Sequence, residues 1–168
     1  MIFIIGFMGV GKSTIGKKLA LQMNVNFFDV DNEIELSEKT TITEIFKKRG
    51  EEYFRKIESK IIKRIEPNSI VACGGGLPCY NNNIKYINDN GVSIYLFADE
   101  NNILKRIKKN ITNRPLINDM KKKDLKSYIK LKVRERSEIY KKANFTINTN
   151  NKSETEILTQ IHSLLNSI

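Results

Sequence analysis

The sequence predicts an α/β fold, one parallel sheet with helices on both faces in three layers, and three observations carry that prediction. Strand-like apolar runs alternate with helix-periodic segments throughout the 168 residues. The first run, Met1–Ile5, is continuously apolar, as a strand buried on both faces must be. It feeds straight into Gly6-Phe7-Met8-Gly9-Val10-Gly11-Lys12-Ser13-Thr14, a glycine-rich loop followed by helical spacing at Ile15, Leu19 and Met23.

That loop reads G-x-x-x-x-G-K-S. Its backbone N–H groups can converge on one concavity, and the N-terminal partial charge of the helix faces the same point. Lys12 adds a full positive charge at the β/γ-phosphates, and the Ser13 hydroxyl is placed to ligate Mg²⁺. The pattern implies a nucleotide phosphate site made of Gly9, Val10, Gly11, Lys12, Ser13 and Thr14.

Length and composition fit a single domain over residues 1–168, 40% apolar and 29% charged. No apolar run approaches the roughly 18 residues of a membrane span, and the first five residues leave no room for a leader before the loop. Cys73 and Cys79 make no disulfide framework, and with one histidine there is no zinc constellation. We therefore expect a cytoplasmic protein, with Cys73 a buried thiol and His162 a surface or packing residue. The net charge of +10 reads as scattered, solvated lysines. No nucleic-acid module accompanies it, so neither nucleic acid nor membrane is expected as a partner.

Taken in order, Asn26–Asp29 is a second strand ending in Asp29-Val30-Asp31, where alternation turns both carboxylates to one side. Asp31 or Asn32 then caps a helix through Leu36. Thr41-x-x-Glu44 opens a short helix ending at Gly50. Residues 51–65 form an amphipathic helix, with Phe54, Ile57, Ile61 and Ile65 inward, Arg55 near the edge of that face and Pro67 closing it. Ser69–Cys73 is a third strand, followed by Gly74-Gly75-Gly76, which allows close backbone approach to a ligand. A modest helix over 81–90 stops at Gly91; Val92–Phe97 is a fourth strand and 100–108 a helix. Residues 110–123 are polar, aperiodic and interrupted by Arg114-Pro115, which suggests a mobile lid. Helix resumes over 124–142, Phe145–Thr149 is a fifth strand, and 153–168 closes the chain as a helix.

Together these motifs resemble the shikimate kinases, small P-loop enzymes that phosphorylate the 3-hydroxyl of shikimate with ATP. The resemblance covers nearly the whole chain. It rests on G-F-M-G-V-G-K-S-T, D-V-D, E-x-F-R-x-x-E at Glu52–Glu58, G-G-G, R-P-L and R-x-x-x-Y at Arg136–Tyr140, in that order. It implies a five-stranded sheet of order 2-3-1-4-5, a shikimate-binding region over about 31–60, and a product, shikimate 3-phosphate, used in aromatic amino acid biosynthesis. By the same resemblance Arg55 and Arg136 grip the substrate carboxylate, for which planar guanidinium donors are suited. Asp31 contacts the ring hydroxyls and accepts a proton, and Gly74, Gly75 and Gly76 line the substrate. Ser13 binds Mg²⁺ directly and Asp29 binds it through water, while Lys12 and the lid residue Arg114 act on the phosphates. The arginine such kinases often set against adenine falls at Ile107 here, with Arg106 one residue earlier; a further basic nucleotide contact falls at Asn151 or Lys152, of which Lys152 is basic.

The alternatives are another small P-loop kinase, acting on gluconate or a nucleoside, and a non-catalytic nucleotide-binding module. The arginine pair with the glycine triplet favours a carboxylate substrate, and no N-K-x-D for guanine is present. A monomer is expected.

Overall fold

The computed structural model describes residues 1–109 and 122–167. Five strands form one parallel sheet: β1 (Ile2–Ile5), β2 (Asn26–Asp29), β3 (Ser69–Ala72), β4 (Val92–Phe97) and β5 (Phe145–Asn148). Their order is β2-β3-β1-β4-β5, with β1 central: Phe3 is opposite Val71 on one side and Ser93 on the other. The order is the one the family resemblance implied. Phe3, Ile4 and Ile5 are all fully buried. Successive strand residues point to opposite faces, so both faces of the sheet centre are covered.

The helices are α1 (Lys12–Met23), α2 (Val30–Glu38), α3 (Ile42–Ile61), α4 (Asn83–Asn90), α5 (Glu100–Lys109), α6 (Lys122–Tyr140) and α7 (Glu154–Leu165). A 3₁₀ turn at Leu77–Cys79 follows the glycine triplet. Helix α1 buries Ile15 and Leu19, while Met23 at its end is 39% exposed, because the chain turns back there through left-handed Asn24. Helix α7 starts on a full capping box, Ser153 with Glu156.

Several boundaries differ from the sequence reading by one to a few residues, and three of them have a definite cause or consequence. Helix α3 is interrupted at Gly50 (φ 78°, ψ 173°), as expected, but its second half ends at Ile61 rather than Ile65. The chain needs the following residues, with Asn68 left-handed, to turn into β3. Helix α2 begins at Val30, one residue after β2, and its cap is Asp29 rather than Asp31 or Asn32. Of the segment read as a lid, residues 122 and 123 already belong to α6; the rest, Arg114 included, lies outside the described residues.

Cys73 is buried, as expected. His162 Nε2 lies 2.8 Å from Gln22 Oε1, a packing role between α7 and α1. No helix among the described residues is long and apolar enough to cross a membrane.

Candidate active site

Every parallel strand points its carboxyl end the same way, and in such sheets ligands bind outside those ends. Here the ends of β1, β2 and β3 deliver the glycine-rich loop, the two aspartates and the glycine triplet to one place. Gly9 (φ 81°) and Gly11 (φ 97°) take left-handed conformations that direct the loop around the start of α1. Lys12 Nζ donates to the Phe7 carbonyl at 3.0 Å, folding the ammonium over the loop. The Ser13 hydroxyl donates to Asp29 Oδ2.

Asp29 and Asp31 do converge, but not through strand alternation. Helix α2 starts between them, and Asp29 Oδ1 accepts the Asp31 backbone N–H at 3.1 Å. The cap therefore sets Asp31 in the first helical turn, on the cleft wall. Burial raises the Asp31 carboxyl to about 6, and the Asp29 charge adds to that; Lys12 and Arg55 pull the other way.

Arg55 is not at a solvated edge of its helix. It is 7% exposed, and Glu58, three residues on, is fully buried. Nη1 of Arg55 donates to Glu58 Oε2, while Nε and Nη2 hold Glu51 Oε1 at 3.1 and 2.8 Å. Burial pushes the Glu58 carboxyl up to about 7, against the pull of Arg55. Its Oε1 is buried with no hydrogen-bond partner among the described residues.

None of the glycine triplet lies in the left-handed region, so the need for glycine at 74 and 76 is spatial. A methyl at Gly74 would overlap the Glu58 carboxylate and stand 3.0 Å from Asp31 Oδ1. One at Gly76 would stand 2.5 Å from the Arg55 guanidinium carbon. At Gly75 it would meet only ordinary contacts of 3.5 Å, to Arg136 Nη1 and to the phosphate loop at Gly6 O and Met8 N. Arg136 reaches in from α6, its guanidinium 5.7 Å from the centre of the Phe7 ring. The phosphate loop, Asp31, Arg55, the triplet and Arg136 thus line one cleft of about 670 Å³.

On the other side of the loop, Arg106 donates to the Val10 carbonyl at 3.2 Å, to Thr149 Oγ1 at 3.0 Å and to the Thr149 carbonyl at 2.7 Å. Ile107 is fully buried in the core. Of these two neighbouring positions it is Arg106 whose side chain reaches the phosphate loop. Lys152 follows β5 and gives its ammonium to Gln160 at 2.9 Å.

Sequence reasoning left Glu58 and Tyr140 out of the site, although both belong to quoted motifs. Their helical spacing from Arg55 and Arg136, three and four residues, is the signal that could have found them.

A family model described as shikimate kinase matches residues 8–166. The shikimate kinase of Sulfurihydrogenibium sp. (strain YO3AOP1) is 39% identical over 162 residues, covering 95% of this chain and 94% of its own. Among solved structures, a shikimate kinase from Bacteroides thetaiotaomicron superposes with a TM-score of 0.92 at 28% identity, covering 98% of this chain and 97% of its own. One from Acinetobacter baumannii in complex with shikimate gives 0.91 at 30% identity, covering 99% and 92%. Matches of that extent, in sequence and in structure alike, mean that the chain belongs to the shikimate kinase family.

Proposed function

We propose that this protein transfers the γ-phosphoryl group of ATP to the 3-hydroxyl of shikimate, giving ADP and shikimate 3-phosphate. The observation that carries the reading is the cleft itself: a phosphate loop faces two guanidinium groups, Arg55 and Arg136, with a carboxylate, Asp31, within electrostatic reach of both Lys12 and Arg55. Guanidinium groups suit the ring carboxylate, which leaves the opposite edge of the ring toward the phosphates.

In the reaction the 3-hydroxyl oxygen bonds to the γ-phosphorus as the bond to the β,γ-bridging oxygen breaks. Asp31 takes the hydroxyl proton. A carboxyl held at about 6 is mostly ionised at neutral pH and basic enough to accept it. Lys12, the backbone of Gly9, Val10 and Gly11, and the Ser13–Thr14 start of α1 hold the phosphates and spread their charge. Gly74, Gly75 and Gly76 let the substrate lie against backbone.

The Ser13 hydroxyl and Asp29 carboxylate lie in contact, an oxygen-donor pair that fits a hard cation kept mostly by phosphate and water. Mg²⁺ would be held there by Ser13 directly and by Asp29 through water, and when bound it neutralises charge on the β- and γ-phosphates. Arg114, outside the described residues, is assigned to the phosphates by its R-P-L match, and Lys152 to the nucleotide by its place after β5. We read the protein as a cytoplasmic monomer without nucleic-acid or membrane partners.

The test is an ADP-release assay with ATP and a panel of shikimate, gluconate and nucleosides. Turnover with shikimate alone is expected, abolished by Lys12→Ala with the melting transition retained. Preferred turnover of gluconate or a nucleoside would replace this reading with that of another small-molecule kinase, and no turnover of any would make the chain a nucleotide-binding module.

A further inference from the structure

The motif Arg136-x-x-x-Tyr140 gives the cleft one of its arginines, yet its tyrosine does not line that cleft. Residues four apart on a helix share one face, a turn apart. Tyr140 ends α6 with 0% exposure, its ring 5.0 Å from that of Tyr95 on β4 at an angle of 36°. A phenylalanine would serve such packing. The phenol does something more: it donates to the backbone carbonyl of Gly75, with the Arg136 guanidinium beside it. Burial pushes the phenol far above its ordinary range, so it stays a neutral donor at any working pH.

That carbonyl lies where α6, the glycine triplet and the phosphate loop meet. Three glycines in succession would leave their peptides free to reorient. A peptide unit is planar and trans, so holding the Gly75 carbonyl also sets the Gly76 N–H on the opposite edge. Gly76 packs on the Arg55 guanidinium, and Gly75 lies against Arg136. One hydroxyl therefore governs a peptide flanked by both arginines.

We propose that Tyr140 is a positioning residue for carboxylate recognition: its hydroxyl locks the Gly75–Gly76 peptide to the last turn of α6, so that Arg55, Arg136 and the loop amides are aligned before a carboxylate arrives. The identity of that carboxylate as shikimate rests on the function proposed above; the locking does not.

Tyr140→Phe removes one oxygen and keeps the ring. Losing the hydrogen bond and stranding the Gly75 carbonyl should raise KM for shikimate about five- to tenfold, with kcat and KM for ATP within about twofold of wild type. In ligand-free protein, NMR order parameters of the Gly75 and Gly76 amides should fall. Tyr95→Phe alters the same aromatic pair without a bond to the loop and should change neither readout. An unchanged shikimate KM in Tyr140→Phe, or unchanged amide order, would reduce Tyr140 to core packing and overturn the proposal. If wild type turned over no shikimate, the functional reading would fail, and the ligand-free order parameters would still decide the locking.

Discussion

Arg55 and Glu58 form a buried ion pair one helical turn apart, and the two outer glycines of the triplet are shaped to it: Gly76 lies against the guanidinium and Gly74 against the carboxylate. The arginine proposed to hold the substrate carboxylate is thus oriented during folding rather than during binding, since truncating either partner would leave the other charge buried alone.

Replacing Arg55 or Arg136 by Lys keeps a positive charge but loses the planar fork. A hydrogen bond to a charged group is worth roughly 1.5–3 kcal/mol, so shikimate affinity should fall by about one to two orders of magnitude. Calorimetric titration should find ATP affinity nearly unchanged. Parallel loss of both affinities would contradict the assignment of these arginines to the carboxylate.

Glu58 makes stability depend on pH. Its folded carboxyl, at about 7, lies above the ordinary value of 4.5, so the folded state binds the proton more tightly than the unfolded chain does. The associated stabilisation is complete below pH 4.5 and is lost as pH rises through about 7. Glu58→Gln cannot titrate. The melting temperature of wild type relative to Glu58→Gln should therefore decline between about pH 5 and pH 8. A constant difference across that window would mean that Glu58 does not change protonation on unfolding there.

The glycine triplet should divide under substitution. Gly74→Ala and Gly76→Ala force a methyl into Glu58 or Arg55, and overpacking of this kind costs about 1–3 kcal/mol. Gly75→Ala meets only ordinary contacts, so its stability should stay within about 0.5 kcal/mol of wild type. Its shikimate KM should nevertheless rise, because the methyl occupies space between Arg136 and the phosphate loop. Thermal melts alongside KM values separate the two classes, and equal destabilisation of all three would refute the division.

Arg106 ties the Val10 carbonyl of the phosphate loop to Thr149 beyond β5. Arg106→Ala should raise KM for ATP about tenfold, in line with the loss of one charged hydrogen-bond donor, and leave shikimate binding without nucleotide unaltered. A shift in shikimate affinity instead would place Arg106 on the wrong side of the site.

Much of this was readable from local pattern. Asn26–Asp29 and Val92–Phe97 are strands residue for residue, and Gly50 breaks its helix where predicted. Periodicity and turn chemistry act within a few residues, so sequence displays them. The pairing of Arg55 with Glu58 lay within reach of helical spacing, but its burial was not readable, because that depends on packing against Gly76 from elsewhere in the chain. Alternation gave the right neighbours for Asp29 and Asp31 by the wrong route, since a helix cap replaced the extended segment. The bonds of Arg106 to Val10 and Thr149 were not readable either, because they join residues far apart along the chain.

The strands also have an opposite end. There the chain enters β2, β3, β4 and β5 just after Asn24, Asn68, Gly91 and Asn144, far along each strand from the reacting groups. Gly91 abuts the Met1 carbonyl and Asn144 bonds Ser93, but a fluorophore or tether on the exposed Asn24 or Asn68 would sit at the end of the sheet opposite the cleft. The protein could thus be held to a surface by that end with its cleft open to solution, its turnover undisturbed by the attachment.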